Sequence, residues 1–416
     1  MSHDLPTPAS ADLAAVREHI IGLMPRVERP ATDFFPQPYL VVSGGSNYAG
    51  NLFVWDHFHM ALRFGAAGRP EYLRFLCENV LSHQEPDGFT PNCILRGRGP
   101  RGSESRFHAQ PFLARSAFAY WKQTGDDAAV RPIFSKLVAY LNYYDAAHLA
   151  PNGLHRWAWP FHSGFDNDPV TTFHLPDSVT SADLSSFLVL EFQALAALAE
   201  TFDPPAASRH HHRATELAAR IREQLWIDEA GTFAAWDLVN GRHLLAIEGW
   251  QPGAPNGQFA YLSCSNLIPL YAGIATNDQA RAMIERYVLS PEHFWSPWGI
   301  RSLSRSSEFY NNAVWGNPPR HGNHRRPTNS NWQGPVWIPL SFFIRRALGR
   351  YGFPREAAEL ETATHRVLAG SLEAVGSFAE NFSGETGAPL YARDFAAWNL
   401  LGDVFQEDLI GEFPGE

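Results

Sequence analysis

The chain has 416 residues, 45% of them apolar and 18% charged, with a formal net charge of −10. That length and apolar share fit one large core or two to three ordinary domains, and exclude a largely disordered chain. An acidic chain without basic blocks excludes a nucleic-acid binder, which must set cations against phosphates.

Helical periodicity runs through the chain. It predicts helices over about 10–24, 55–67, 70–83, 108–124, 127–148, 181–202, 208–226, 259–273, 277–288, 333–351, 354–374 and 394–406. Ser181-Ala182-Asp183 ahead of the Leu184–Leu198 run, and Thr276-Asn277-Asp278 ahead of Met283, are helix start signals. Thr232–Leu238 and Arg242–Leu245 flank Val239-Asn240-Gly241 and read as a minor β-hairpin. Phe187–Phe192 and Val336–Ile344 are apolar on most sides, so neighbouring helices must bury them. No strand–helix alternation and no phosphate-binding glycine motif occurs, which disfavours Rossmann and TIM folds. Twelve helices predict an all-α fold, six helical hairpins closed into an (α/α)6 toroid, as a single domain over 1–416. The stretch Ser290–Asn331 is too long for an ordinary connection and too aromatic for disorder, so it is expected to be a lid or wall over a pocket.

Cys77, Cys93 and Cys264 are too few and too scattered for a disulfide framework or a paired-cysteine metal site. Reduced thiols, and a polar start at Met1–Pro8 without an apolar signal segment, predict a cytoplasmic protein. No uninterrupted apolar run reaches the ~18 residues of a membrane span, so no membrane partner is expected. His210-His211-His212 point in different directions on a helix and cannot share one ion, so neither a metal nor a cofactor is expected.

Many tryptophans fall in Gly-, Pro- and Asn-rich stretches, among them Trp55, Trp157, Trp159, Trp250, Trp295, Trp298, Trp315, Trp332 and Trp337. Indole faces stack on the apolar faces of sugar rings and keep an N–H for a hydrogen bond. Asp166 stands in an aromatic loop, Trp157 to Pro169, where loss of water raises a carboxyl pKa and keeps its proton available. A plain turn role beside Asn167 is the competing reading. Glu380 lies between Phe378 and Phe382 ahead of a Gly-marked turn, and is preferred as a base over Glu385 inside the turn. One protonated and one ionised carboxyl are what glycoside hydrolysis requires.

The segment Ser163–Pro169, SGFDNDP, resembles the signature of trehalases and related helical-barrel hydrolases. Ala379–Gly387, AENFSGETG, resembles the segment carrying their second carboxylate. Asn331–Pro339, NWQGPVWIP, resembles the WRGPVW segment of glycoside hydrolase family 63, and Val54–Leu62, VWDHFHMAL, resembles their WDxAF helix start. The order is the family's, and the length is similar to its compact glycosylglycerate-hydrolysing members. The resemblance implies an (α/α)6 barrel, α-glycoside substrates and inversion, with Asp166 as general acid and Glu380 as general base. It implies a sugar pocket formed by Trp55, Asp56, Gln110, Trp159, Gly164, Asn167, Trp332, Gln333 and Trp337. Two departures stand out: Gln333 replaces the family's Arg, and Val170-Thr171-Thr172 follows Pro169 where an Arg is common. Bidentate Arg is the usual carboxylate partner. A neutral α-linked disaccharide is thus as credible a substrate as a glycosylglycerate, unless Arg320, Arg325 or Arg326 compensate. The expected partner is a small saccharide or glycoside, and a homo-oligomer is compatible with the sequence. The rival readings are a sugar epimerase or isomerase, or a non-catalytic carbohydrate-binding protein, on the same toroid.

Overall fold

The computed structural model describes residues 10–43, 50–94, 107–245, 260–318 and 330–405. Its helices are α1 Ser10–Val27, α2 Val54–Ala66, α3 Glu71–Leu81, α4 Leu113–Thr124, α5 Asp127–Ala147, α6 Pro169–Thr172, α7 Ala182–Phe202, α8 Pro204–Leu225, α9 Cys264–Tyr271, α10 Asn277–Met283, α11 Ile338–Arg350 and α12 Pro354–Val375. A π-helical turn, Ile284–Val288, continues α10, and the expected last helix is a 3-10 segment, Ala397–Asp403. Strands are short and form sheets of two or three members among the described residues. The all-α expectation is met.

Three helices start later than periodicity alone predicts. Pro111 disfavours helical backbone at Gln110, and α4 begins only at Leu113. Pro339 sits in the first turn of α11, where its missing N–H costs nothing, and residues 333–337 are not helical. The third, α9, starts at Cys264 behind a Ser263 cap. The start signal at Thr276 works as read: its Oγ1 accepts from Gln279 N–H and Gln279 Oε1 accepts from Thr276 N–H. The expected hairpin forms between Ala235–Asp237 and Arg242–Leu244, with Asp237 accepting from the Val239 and Asn240 N–H groups.

The chain sorts into two compact units. One contains residues 10–20, 156–183 and 219–395; the other contains 21–155, 184–218 and the described residues from 396. In the first, α9 packs on α11 and α11 on α12. Two apolar clusters lie beneath its loops: Val170, Val179, Ala235 and Leu244, and Phe173, Ala260, Leu303 and Phe309. In the second, α2, α3, α4 and α5 pack in sequence, and α2 also covers the 3-10 segment. There Arg63 grips Asp403 with two bonds of 2.8 and 3.0 Å. The helix α7 is long and apolar enough to cross a membrane, yet 94% of that window is buried inside the protein, as expected of a core helix.

Candidate active site

Asp166 follows the 3-10 turn Pro160–Ser163, whose first flank is the half-buried Trp159. Gly164 closes that turn at φ 82°, a left-handed conformation that strains any residue with a Cβ. Ser163 Oγ then accepts the Phe165 N–H at 3.0 Å, and the Phe165 ring is buried against Trp332 at 4.8 Å. On the other side, Asp168 caps α6: Oδ1 accepts from Val170 N–H at 3.0 Å and Oδ2 accepts the Ser263 hydroxyl at 2.8 Å. Burial, reinforced by the charge of Asp183, pushes the Asp168 carboxyl up to about 7. Asp166, between these two anchors, is half-buried.

Asn167 joins this loop to the Asn331–Trp337 segment. Its Nδ2 donates to Asn331 Oδ1 at 3.1 Å, its Oδ1 accepts from Trp332 N–H at 2.5 Å, and its carbonyl accepts from Gln333 Nε2 at 2.8 Å. Gln333 Oε1 accepts from Asn311 Nδ2 at 3.2 Å, Asn317 N–H at 3.0 Å and Asn317 Nδ2 at 2.9 Å. Gln333 is fully enclosed and its amide is used up by protein partners. Trp332 and Trp337, also fully buried, stack face to face at 4.0 Å. Their N–H groups donate to Ser330 Oγ and the Asn331 carbonyl. All three side chains, with Asn167, are fully buried and bonded to protein partners.

Glu380 lies in the strand Ala379–Phe382, which pairs with Pro389–Arg393, and is almost fully buried. On the strand's other edge, Phe382 and Val336 exchange backbone hydrogen bonds of 2.7 and 3.0 Å. The segment that grips Asn167, the neighbour of Asp166, is thus the same one that pairs with the strand of Glu380. Asn381 is buried, and neither its Oδ1 nor its Nδ2 has a partner among the described residues. Such an amide calls for an ordered water or a ligand atom.

Glu385, the competitor for the base role, is spoken for. Its Oε1 lies 3.4 Å from Arg301 and 3.2 Å from Arg305, and accepts the Tyr310 hydroxyl at 2.6 Å. Burial and this carboxylate push the Tyr310 phenol up to about 12. Arg301 also donates to the Pro291 and Trp295 carbonyls, so the knot ties the described part of the long loop to the turn after Glu380. Arg320, Arg325, Arg326 and Trp250 lie outside the described residues.

Trp55, Asp56 and Gln110 belong to the second unit. Trp55 is buried against His59, Phe112 and Phe187. Asp56 stands half-buried in the first turn of α2, whose cap position is Phe53. Gln110 is fixed through its carbonyl, which accepts the Tyr140 hydroxyl at 2.8 Å. The following helix, α4, is capped by the buried Glu191, which accepts from Ala114 and Arg115 N–H at 2.8 and 2.9 Å. Among the described residues no group of three or more His, Cys, Asp or Glu is placed to hold a metal ion.

Sequence reasoning missed Asn331, Asp168, Arg301 and Tyr310. The available signal was the run of asparagines, Asn311, Asn312, Asn317 and Asn331, in a loop that must satisfy its own backbone.

The fold is that of solved sugar-cleaving enzymes. The crystal structure of the GH63 mannosylglycerate hydrolase from Thermus thermophilus in complex with glucose matches with a TM-score of 0.69 at 19% identity, covering 93% of this chain and 99% of that one. Neutral trehalase from Saccharomyces cerevisiae matches with a TM-score of 0.64 at 17% identity, covering 98% of this chain and 82% of that one. The family model for the mannosylglycerate hydrolase MGH1-like glycoside hydrolase domain matches residues 49–397, and the chain belongs to that family. The mannosylglycerate hydrolase of Rubrobacter radiotolerans is 28% identical over 239 residues, 56% of this chain. That match spans 45% of the relative, about half its length.

Proposed function

We propose that the chain hydrolyses a small α-glucoside or α-mannoside, a disaccharide or a glycosylglycerate, with inversion at the anomeric carbon. Asp166 gives its proton to the glycosidic oxygen as the C1–O bond breaks. Glu380 takes a proton from a water whose oxygen attacks C1 from the opposite face, through an oxocarbenium-like state. The observation that carries this reading is the shared Asn331–Trp337 segment, which binds the loop of Asp166 at one end and the strand of Glu380 at the other. Inversion needs the two carboxyl groups roughly 6.5–9.5 Å apart, so that a water fits between base and sugar. The engagement of Glu385 by two arginines and a tyrosine supports Glu380 as the base. Family membership supports the hydrolytic class, and the Thermus relative, solved with Tris and D-glycerate, supports a glycoside of modest size.

The test is a panel of α-glucosides and α-mannosides with the first-formed anomer read by NMR. The expected product is the β-anomer. Asp166→Asn and Glu380→Gln each lower kcat by orders of magnitude, with unchanged circular dichroism. A first-formed α-anomer, or normal turnover in either variant, refutes the assignment. An epimerised sugar without release of a second product would select the isomerase reading.

A further inference from the structure

The described surface carries one exposed aromatic side chain of large hydrophobic type, Trp315, at 54% exposure. An indole left in water is costly, because its apolar faces are the largest a side chain offers. Trp315 is not a loose loop tip. Two residues before it, the Ala313 carbonyl accepts from Asn331 Nδ2 at 2.8 Å; two residues after it, Asn317 is bound to Gln333 Oε1. The next residue, Gly316, is packed so closely that a Cβ there would collide with Asn167 Nδ2 and Asn331 Oδ1. The indole is therefore held in place on the same asparagine network that fixes the loop of Asp166.

Its ring partner is Tyr391, with centroids 5.6 Å apart and planes at 63°. With this contact made, more than half of the Trp315 side chain remains exposed. Tyr391 lies opposite Asn381 in the ladder of the Glu380 hairpin, and Ala392 beside it takes φ 37°, a conformation that residues with a Cβ rarely adopt. Such outliers gather where a side chain must be presented in a set direction. Among the described residues of this network Gln333 is neutral, and its amide is spent on Asn311, Asn317 and Asn167. Arg301 and Arg305 are both paired with Glu385.

We propose that Trp315, in ring contact with Tyr391, is a stacking platform for the leaving group, and that the leaving group is a second sugar ring rather than a small acid. The inference rests on the reading of Asp166 as general acid. The acid serves the leaving-group side of the scissile bond, and Trp315 is anchored to the acid's own loop. Stacking uses the flat apolar face of a pyranose, which a glycerate lacks.

The experiment compares α-linked glucobioses and mannobioses with α-glucosyl and α-mannosyl fluoride, which carry the same sugar but no leaving-group ring, and with the two glycosylglycerates. In Trp315→Ala the ratio of kcat/KM on the best disaccharide to that on the matching fluoride falls about tenfold, mostly through KM. Trp315→Phe restores most of the ratio, and the glycosylglycerates do not share the loss. An equal loss on disaccharide and fluoride makes Trp315 a structural residue and overturns the proposal. So does an unchanged ratio, or a wild-type protein that hydrolyses fluorides and glycosylglycerates but no disaccharide. A wild-type protein inert on both fluorides refutes the hydrolase reading itself, a different outcome from any of these.

Discussion

Replacing Asp168 by Asn keeps the shape of the side chain and removes one titration. Asp168 is buried, with its carboxyl pushed up to about 7, against about 3.9 in an unfolded chain. A folded-state value above the unfolded one gives a stabilisation that is complete below about pH 4 and is lost as pH rises to about 7. At about 1.4 kcal/mol for each pH unit across that window, the wild-type protein loses about 4 kcal/mol from this site alone. The Asn side chain fits the same pocket: its oxygen accepts from Val170 N–H, and its amide donates to Ser263 Oγ, which can turn its hydroxyl toward Ser265 Oγ at 2.8 Å. Urea unfolding followed by circular dichroism from pH 5 to 8 isolates the effect as the difference between the two proteins. The stability of Asp168→Asn relative to wild type is expected to climb by roughly 2–3 kcal/mol over that range. A difference that stays flat with pH, or falls, refutes the account of Asp168 as a buried acid that resists ionisation.

Glu385→Gln is expected to leave turnover within a few-fold of wild type while costing about 1–3 kcal/mol in unfolding measurements, because it strands the buried Arg301. A loss of activity as deep as that of Glu380→Gln would exchange the roles of the two residues. Gln333→Ala cuts the bonds to Asn167, Asn311 and Asn317 and is expected to lower stability by roughly 2–3 kcal/mol, together with kcat; a rise in KM alone would mark Gln333 as a substrate contact instead. His57 and His59 are buried with values pushed down to about 3 by burial. Their stabilisation is present above about pH 6.5 and lost as pH falls toward 3, so an acid titration followed by circular dichroism should show cooperative unfolding that His57→Gln shifts to lower pH.

The helices were legible because burying an apolar stripe leaves a 3.6-residue rhythm, and all twelve expected segments carry helical structure. Two of the three late starts stand next to prolines: Gln110-Pro111 and Ile338-Pro339 restrict backbone angles through local sterics that a hydrophobic count ignores. In the candidate site, flanking residues singled out the two carboxylates that are proposed as acid and base, whereas the employment of Gln333, Trp332 and Trp337 was not legible. Their partners lie up to 166 positions away in the chain, and an amide saturated by protein looks the same in sequence as one waiting for a sugar. Glu385 was set aside for its place in a turn; the structure supplies another ground, two guanidinium groups and a phenol.

The short stretch from Asn331 to Val336 acts as a yardstick between the two halves of the proposed chemistry. A gap set by backbone length answers differently to different kinds of change. Side-chain replacements along the stretch adjust rate and fit, but adding or removing one residue alters the span itself. On the proposed mechanism, that span decides whether a water has room beside the base, so the stereochemical course of the reaction is encoded here in chain length more than in the identity of any one group.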